Sequence, residues 1–172
     1  LAITRANHYS EDIAAEKVDL VQVVKAAIAD NAEFFINKSI SIQINITPFY
    51  FISDKKWIHY IISQILNNSS KYTNKNGEIL ITGREDERAY HLHLQDNGIG
   101  IPPEEITRIF DKGFTGSNGR NNTKSTGMGM YYAKKMADTL GIGLSVQSRE
   151  REYTEFVLSF FKLSDYLQRM TR

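Results

Sequence analysis

There is no cysteine anywhere in the 172-residue chain. That excludes disulfides and every zinc site built on thiolates, and it fits a reducing compartment. An excess of one charge is missing too: 21 Lys and Arg stand against 20 Asp and Glu, a formal net charge of +1. Such balance argues against a nucleic-acid surface or a membrane-hugging basic face and leaves only local basic patches open. No apolar run approaches the roughly 20 residues that cross a bilayer. No stretch reads as a signal peptide, and no internal repeat is present. What is there is ordinary for a folded domain: 41% of residues are hydrophobic and 11% aromatic, enough to bury one core.

The periodicities predict an alternation of helices and strand pairs. Residues 19–36 carry Leu20, Val23, Val24, Ala27, Ile28 and Phe35 at helical spacing, with Asp19 as the N-cap. "SIQINIT" (41–47) alternates as a half-buried strand and stops at Pro48. A second helix is expected from Asp54 to Thr73, followed by strands at 78–83 and 89–96. The loop "NGIGIPP" leads into a short helix opened by Pro103, Glu104 and Glu105 and running through Phe110. A further helix spans Gly127–Leu140, and strands at 143–148 and 154–161 complete the pattern. This order predicts an α+β two-layer sandwich, with helices covering one face of a mixed, mostly antiparallel sheet. The opening residues, 1–17, read as the tail of a helix running into a turn, which suggests a piece of a longer protein.

Three features put polar groups where the pattern wants apolar ones. The stripe Trp57/Ile58, Ile61, Ile65 continues into Asn68 and Tyr72, flanked by Gln64 and Lys71. A buried amide without a partner costs about 1–3 kcal/mol. Asn68 is therefore either a structural cap for a neighbouring loop or an oxygen ligand for a hard cation such as Mg²⁺, with Lys71 meeting phosphate. On the strand "AYHLHLQD", Asp96 shares the apolar face of Leu92 and Leu94 and ends at "NGIG". It either accepts from the amides of the following turn or accepts from an exocyclic amine such as that of adenine, with Gly98 and Gly100 allowing a flat base to approach. His91 and His93 form an H-x-H pair, but they lie on the more solvated face with no third ligand, so a metal reading is set aside.

The third feature is the aperiodic stretch 111–126, longer than the ~12–15 residues usual for a plain loop. It carries Lys112, Arg120 and Lys124 against one acid, Asp111. It is either a solvated loop or a basic lid over an anion. It ends in "STGMGM", a Gly-x-Gly that fits neither the dinucleotide fingerprint nor the P-loop. Thr126 and the amides of Gly127 and Gly129 nevertheless open a helix, where a phosphate is favoured.

In order along the chain, "QILNNSSKYTN", "DNGIGIP", "IFDKGF" and "STGMGM" resemble the N, G1, F and G2 boxes of the catalytic ATP-binding domain of sensor histidine kinases, the Bergerat-type fold shared with type II topoisomerases and mismatch-repair ATPases. The resemblance covers roughly residues 20–162. The "KGFTGSNGR" segment looks most like small sensor kinases of Gram-positive bacteria that respond to cell-envelope antibiotics. The resemblance implies ATP and Mg²⁺ as cofactors, and Asn68 as the Mg²⁺ ligand and, with Lys71, the catalytic pair. Tyr72 would pack on the base and Asp96 would take the adenine amine, with Gly98, Gly100 and Ile101 nearby. Phe110 and Phe114 would anchor the lid, Arg120 and Lys124 would reach the terminal phosphates, and Thr126, Gly127, Met128, Gly129 and Met130 would line the triphosphate. Thr154, in "YTEFVLSF", would sit near the adenine.

Four positions depart from the family pattern: Gln64 replaces a frequent Asn, Ser125 a frequent Gly, and Met128 and Met130 the usual leucines. By resemblance, residues 1–17 end the second helix of a dimerisation and phosphoacceptor domain, 18–163 are the catalytic domain and 164–172 a tail. Neither His8 nor His59 fits the acceptor pattern. The implied whole is a homodimeric kinase that phosphorylates a His on its own dimerisation domain and passes the group to a response regulator. It would be a cytoplasmic domain attached to the bacterial cell membrane through other segments, without a nucleic-acid partner. A nucleotide-binding regulatory module without productive transfer, or an ATPase clamp or Ser kinase of the same fold, are the alternatives.

Overall fold

The computed structural model describes residues 13–119 and 126–162. A five-stranded sheet, ordered β2-β4-β5-β7-β6, is the frame. Its strands are β2 (Ser41–Ile46), β4 (Glu78–Glu85), β5 (Ala89–Asp96), β6 (Gly143–Arg149) and β7 (Tyr153–Phe161). Only β2 and β4 pair in parallel; the other neighbours are antiparallel. Three helices, α1 (Leu20–Asp30), α3 (Lys55–Tyr72) and α6 (Gly129–Thr139), pack side by side and put their apolar faces into one core with the sheet. This is the expected two-layer arrangement, mixed and mostly antiparallel.

The alternation in β5 decides which face is which. Tyr90, Leu92, Leu94 and Asp96 point into the core, and His91, His93 and Gln95 point away. The outward histidines are engaged locally: His91 Nε2 lies 2.9 Å from Asp86 and His93 Nδ1 lies 3.3 Å from Glu155. Among the described residues no cluster of His, Cys, Asp or Glu could hold a metal ion, and no helix is long and apolar enough to cross a membrane.

α1 and α3 begin where an Asp can accept from free N–H groups. Asp19 accepts from Gln22 N at 3.3 Å, and buried Asp54 accepts from Lys56 N at 3.1 Å and Trp57 N at 3.3 Å. α3 then buries Ile58, Ile61, Ile62, Ile65 and Leu66, a gross hydrophobic gain of roughly 10 kcal/mol. A helix anchored that firmly can present polar groups from its next face without slipping.

Several elements differ from the sequence expectation, and the short helix expected to run through Phe110 ends at Ile106. The helix expected over 19–36 breaks at Asn31, whose side-chain amide donates to Ala27 O at 2.7 Å and so competes with the backbone ladder. The short α2 (Ala32–Asn37) follows. Glu16–Asp19 forms a strand, β1, rather than a helix tail, because it pairs antiparallel with β3 (Tyr50–Ser53), itself unforeseen. The rest of the helix expected over 1–17, up to residue 12, lies outside the described residues. Within 111–126, Gly116–Gly119 forms one helical turn, α5.

Candidate nucleotide-binding site

Along α3 the core stripe is 58, 61/62, 65/66 and 69/70, while Gln64, Asn67, Asn68, Lys71 and Tyr72 occupy the adjoining face. Asn68 is therefore half-buried beside the stripe rather than on it; Ser69 and Ser70 take the buried positions. That polar face forms one wall of a cleft enclosing about 1040 Å³ of space, part of it open to solvent. The floor is Asp96 and Thr154. The far wall comes from the loop after β5, the short α4 (Pro103–Ile106) and the segment leading to α6.

Asp96 is only 1% exposed and sits at the end of β5, directly opposite Thr154 on β7. Its Oδ1 accepts from Gly98 N at 2.9 Å. Burial pushes its carboxyl up from 3.8 to about 6, against the opposing pull of Gly98 N, the nearby Ser69 hydroxyl and the Thr154 backbone. Ser69 Oγ is close to the carboxylate but outside hydrogen-bonding geometry, so it stays a buried oxygen without a partner, as does Thr73 Oγ1. An unpaired buried hydroxyl beside a poorly compensated carboxylate is costly in a closed core and suits a site that binds polar groups. Thr154 Oγ1 lies 3.0 Å from Ser148 Oγ, which accepts from Ile101 N at 2.8 Å and donates to Tyr153 O at 2.6 Å. Ser148, which no sequence pattern singled out, thus ties the loop after β5 to the sheet.

The glycines of that loop are kept small by the chain's own backbone. A Cβ on Gly98 would run into Tyr72 O, and one on Gly100 (φ +68°) would come within 2.7 Å of Glu150 Cα. Protein backbone fills the space, and Ile99 N donates to Tyr72 O at 3.0 Å. Gly100 lines the cleft; Gly98 does not, acting instead as Asp96's donor.

At the other end of the cleft, Gly113 N donates to Gly127 O at 3.1 Å and closes the base of the expected lid. Gly127 has φ +68°, and a Cβ there would lie 2.7 Å from Gly113 O. α6 starts at Gly129, two residues later than expected. Met128 holds the N-cap position and no side chain caps it. Its first turn therefore brings uncapped N–H groups and the positive end of the helix dipole to the cleft wall formed by Thr126, Gly127, Gly129 and Met130. Phe114 lines the cleft under the Arg108 guanidinium, 4.6 Å from its ring centroid. Phe110 does not; it packs edge-on against Phe156. Met128 also stays off the lining. Arg120, Lys124 and Ser125 lie outside the described residues.

Sequence reasoning missed Asn67, Glu105 and Thr115 as lining groups. Asn67 was readable, being three residues from Gln64 and four from Lys71. Glu105 was not. Its Oε1 accepts from Ser117 N at 2.9 Å, a contact with no local pattern.

Residues 53–165 match the family model for histidine kinase-, DNA gyrase B-, and HSP90-like ATPases. The chain belongs to that ATPase family. It is 36% identical over 156 residues to the sensor protein BceS of Bacillus subtilis (strain 168), a stretch covering 91% of this chain and 46% of that protein. It is 32% identical over 173 residues to the sensor histidine kinase GraS of Staphylococcus haemolyticus (strain JCSC1435), covering 100% of this chain and 50% of the relative. The chain thus spans about half the length of these relatives. Its fold superposes on that of the mycobacterial sensor histidine kinase MprB with a TM-score of 0.74 at 21% identity, covering 86% of this chain and 97% of that one. With full-length ShkA, solved in complex with AMPPNP, the TM-score is 0.77 at 18% identity, covering 92% of this chain and 33% of that one. In this family member the cleft is the candidate nucleotide site.

Proposed function

We propose that this ATPase-family domain is the phosphoryl-donating part of a two-component sensor histidine kinase. It binds ATP in the cleft and delivers the γ-phosphoryl to a His supplied by sequence outside this chain. The observation that carries the reading is the polarity of the cleft. A buried carboxylate shares one cleft with Lys71, three side-chain amides and the segment that opens the uncapped N-terminus of α6, with Gln64 placed directly beside Gly129. An adenine suits the carboxylate, and a triphosphate suits the cation, the amides and the helix N-terminus.

In this arrangement Asp96 accepts from the exocyclic amine of adenine, and Thr154 and Ile101 border the base. Tyr72 packs beside it. Asn68 is the residue that would hold Mg²⁺. Amide oxygens and no carboxylate stand beside it on α3, which suits a hard cation that fills most of its shell with phosphate and water. When bound, Mg²⁺ supplies charge neutralisation on the transferring phosphates. Lys71 adds a fixed positive charge, and the amides of Gly127 and Gly129 face the triphosphate. Arg120 and Lys124 are proposed to reach the terminal phosphates. Catalysis is then positioning plus electrostatics, with no protein nucleophile on this domain.

The relatives' names support a role for the whole protein in signal transduction. It would act as a homodimer through a dimerisation and phosphoacceptor domain, with a response regulator downstream, as the cytoplasmic part of a bacterial membrane sensor of the antibiotic-responsive kind. Gln64 keeps an amide in the cleft wall despite replacing Asn, so the geometry lends no support to a module without transfer. The test is Asn68→Ala in the full-length kinase, given ATP and Mg²⁺. Autophosphorylation should fall at least about 100-fold, the scale of losing one key electrostatic group. Undiminished phosphohistidine would remove Asn68 from its role.

A further inference from the structure

The last turn of α3 carries Asn68, Lys71 and Tyr72 into the cleft, yet it has no glycine cap. Its C-cap, Thr73, is extended (φ −86°, ψ 134°), so the terminal carbonyls must find donors elsewhere. The donors are these. Lys38 Nζ donates to Ser70 O at 2.7 Å, to Lys71 O at 3.0 Å and to Thr73 O at 3.0 Å. The carbonyl left over, that of Tyr72, takes Ile99 N at 3.0 Å. One ammonium thus uses all three of its donors on the end of one helix, where the negative end of the dipole also favours a cation. Lys38 is itself fixed in place. It follows α2 directly, and its own carbonyl accepts from Asn76 N at 2.8 Å.

We propose that Lys38 is a positioning residue for nucleotide binding. It lies outside the matched 53–165 segment and does not itself line the cleft. By pinning the carbonyls of residues 70, 71 and 73, it sets the direction of the turn from which Lys71 and Tyr72 project. It also sets the height of Tyr72 O, on which the loop after Asp96 hangs. Without it, the carbonyls turn to water, the last turn frays, and the amide, ammonium and phenol lose their common register. The inference rests on the nucleotide reading above.

The experiment measures affinity for a non-hydrolysable ATP analogue with Mg²⁺ by calorimetry on the full 172-residue chain, well below each variant's melting temperature. Lys38→Met should weaken binding about tenfold, equivalent to roughly 1.4 kcal/mol. Lys38→Arg should restore it to within about threefold, since a guanidinium also offers several donors to carbonyls. Lys25→Met, on the exposed side of α1, should leave it unchanged. In a Lys71→Ala background the further loss from Lys38→Met should be smaller than in the wild type, because part of its effect passes through Lys71. If Lys38→Met does not fold, Lys38→Gln, which keeps a donor on a shorter arm, takes its place with the same expected ordering. A variant that melts lower but binds as wild type overturns the proposal and leaves Lys38 a stability residue. An additive loss in the Lys71→Ala background overturns it as well. If the wild-type chain itself binds no analogue, the nucleotide reading falls and takes this proposal with it.

Discussion

Asp96 and Gly98 form a two-residue turn in which a carboxylate, 1% exposed, accepts one backbone N–H at 2.9 Å. That bond, even with the pull of the Ser69 hydroxyl and the Thr154 backbone, does not offset the burial, and the carboxyl sits near 6 rather than 3.8. The sign of the consequence is definite. A folded-state value above the unfolded one means the group favours folding most below about pH 4, and loses that favour as pH rises through 6. At neutral pH the charge costs roughly 3 kcal/mol. Asp96→Asn should therefore raise the melting temperature at pH 7.5, and the gain should vanish toward pH 4. Thermal unfolding of both proteins across that range checks it. A gain independent of pH would contradict the assignment.

Gln64 and Gly129 compete for the same space. A Cβ at position 129 would meet Gln64 Oε1 and, after Gln64 Cδ at 3.5 Å, nothing else nearby. The end of a flexible side chain can move, and alanine loses less backbone freedom on folding than glycine. Gly129→Ala should leave stability equal or slightly higher while driving the Gln64 amide out of the cleft wall. Nucleotide affinity should then fall about threefold to tenfold. Gln64→Ala should cause the same fall, and the double variant no more than either alone. Additive losses would separate the two residues.

Glu105 holds the segment beyond Phe114 by accepting from Ser117 N at 2.9 Å. The bond is solvent-exposed, so Glu105→Ala should lower the melting temperature by no more than about 2 °C. Its effect should be local. Cleavage by a non-specific protease within residues 113–119 should quicken several-fold, and Glu105→Gln, which keeps an acceptor, should restore most of the protection. Equal cleavage in all three proteins would show the contact to be idle.

Ile61 lies at the centre of α3's buried stripe. Ile61→Ala should cost about 2–5 kcal/mol, the range for emptying such a site. A urea titration showing a lower midpoint at unchanged slope would confirm the core role. A loss under about 1 kcal/mol would argue that α3 is held chiefly by its ends.

How much of this was legible in the sequence follows from which contacts are local. Period-two alternation placed Asp96 on the core side of β5, and helical spacing put Gln64, Asn68, Lys71 and Tyr72 near one another, because both patterns are properties of consecutive residues. Helical spacing did not resolve a shift of one position, so Asn68 was set on the core stripe that belongs to Ser69. The break at Asn31 escaped notice because a single side-chain bond to Ala27 O outweighs the apolar periodicity around it. β1 and β3 exist because they pair with each other, across more than thirty positions of sequence. That backbone at Tyr72 and Glu150 would meet a Cβ at Gly98 and Gly100 depends on contacts distant in sequence, which no local pattern shows. Lys38, Glu105 and Ser148 act only through partners brought near by folding, and no spacing rule reaches them.

The central claim is that Asp96 reads an adenine in this cleft. Its most direct test is calorimetric titration of the 172-residue chain with a non-hydrolysable ATP analogue and Mg²⁺, beside the same titration of Asp96→Asn. The account predicts saturable one-to-one binding by the wild type, an equivalent failure to bind the guanine analogue, and a loss of at least about 100-fold in Asp96→Asn. Binding that Asp96→Asn leaves intact, or that does not distinguish adenine from guanine, would contradict it.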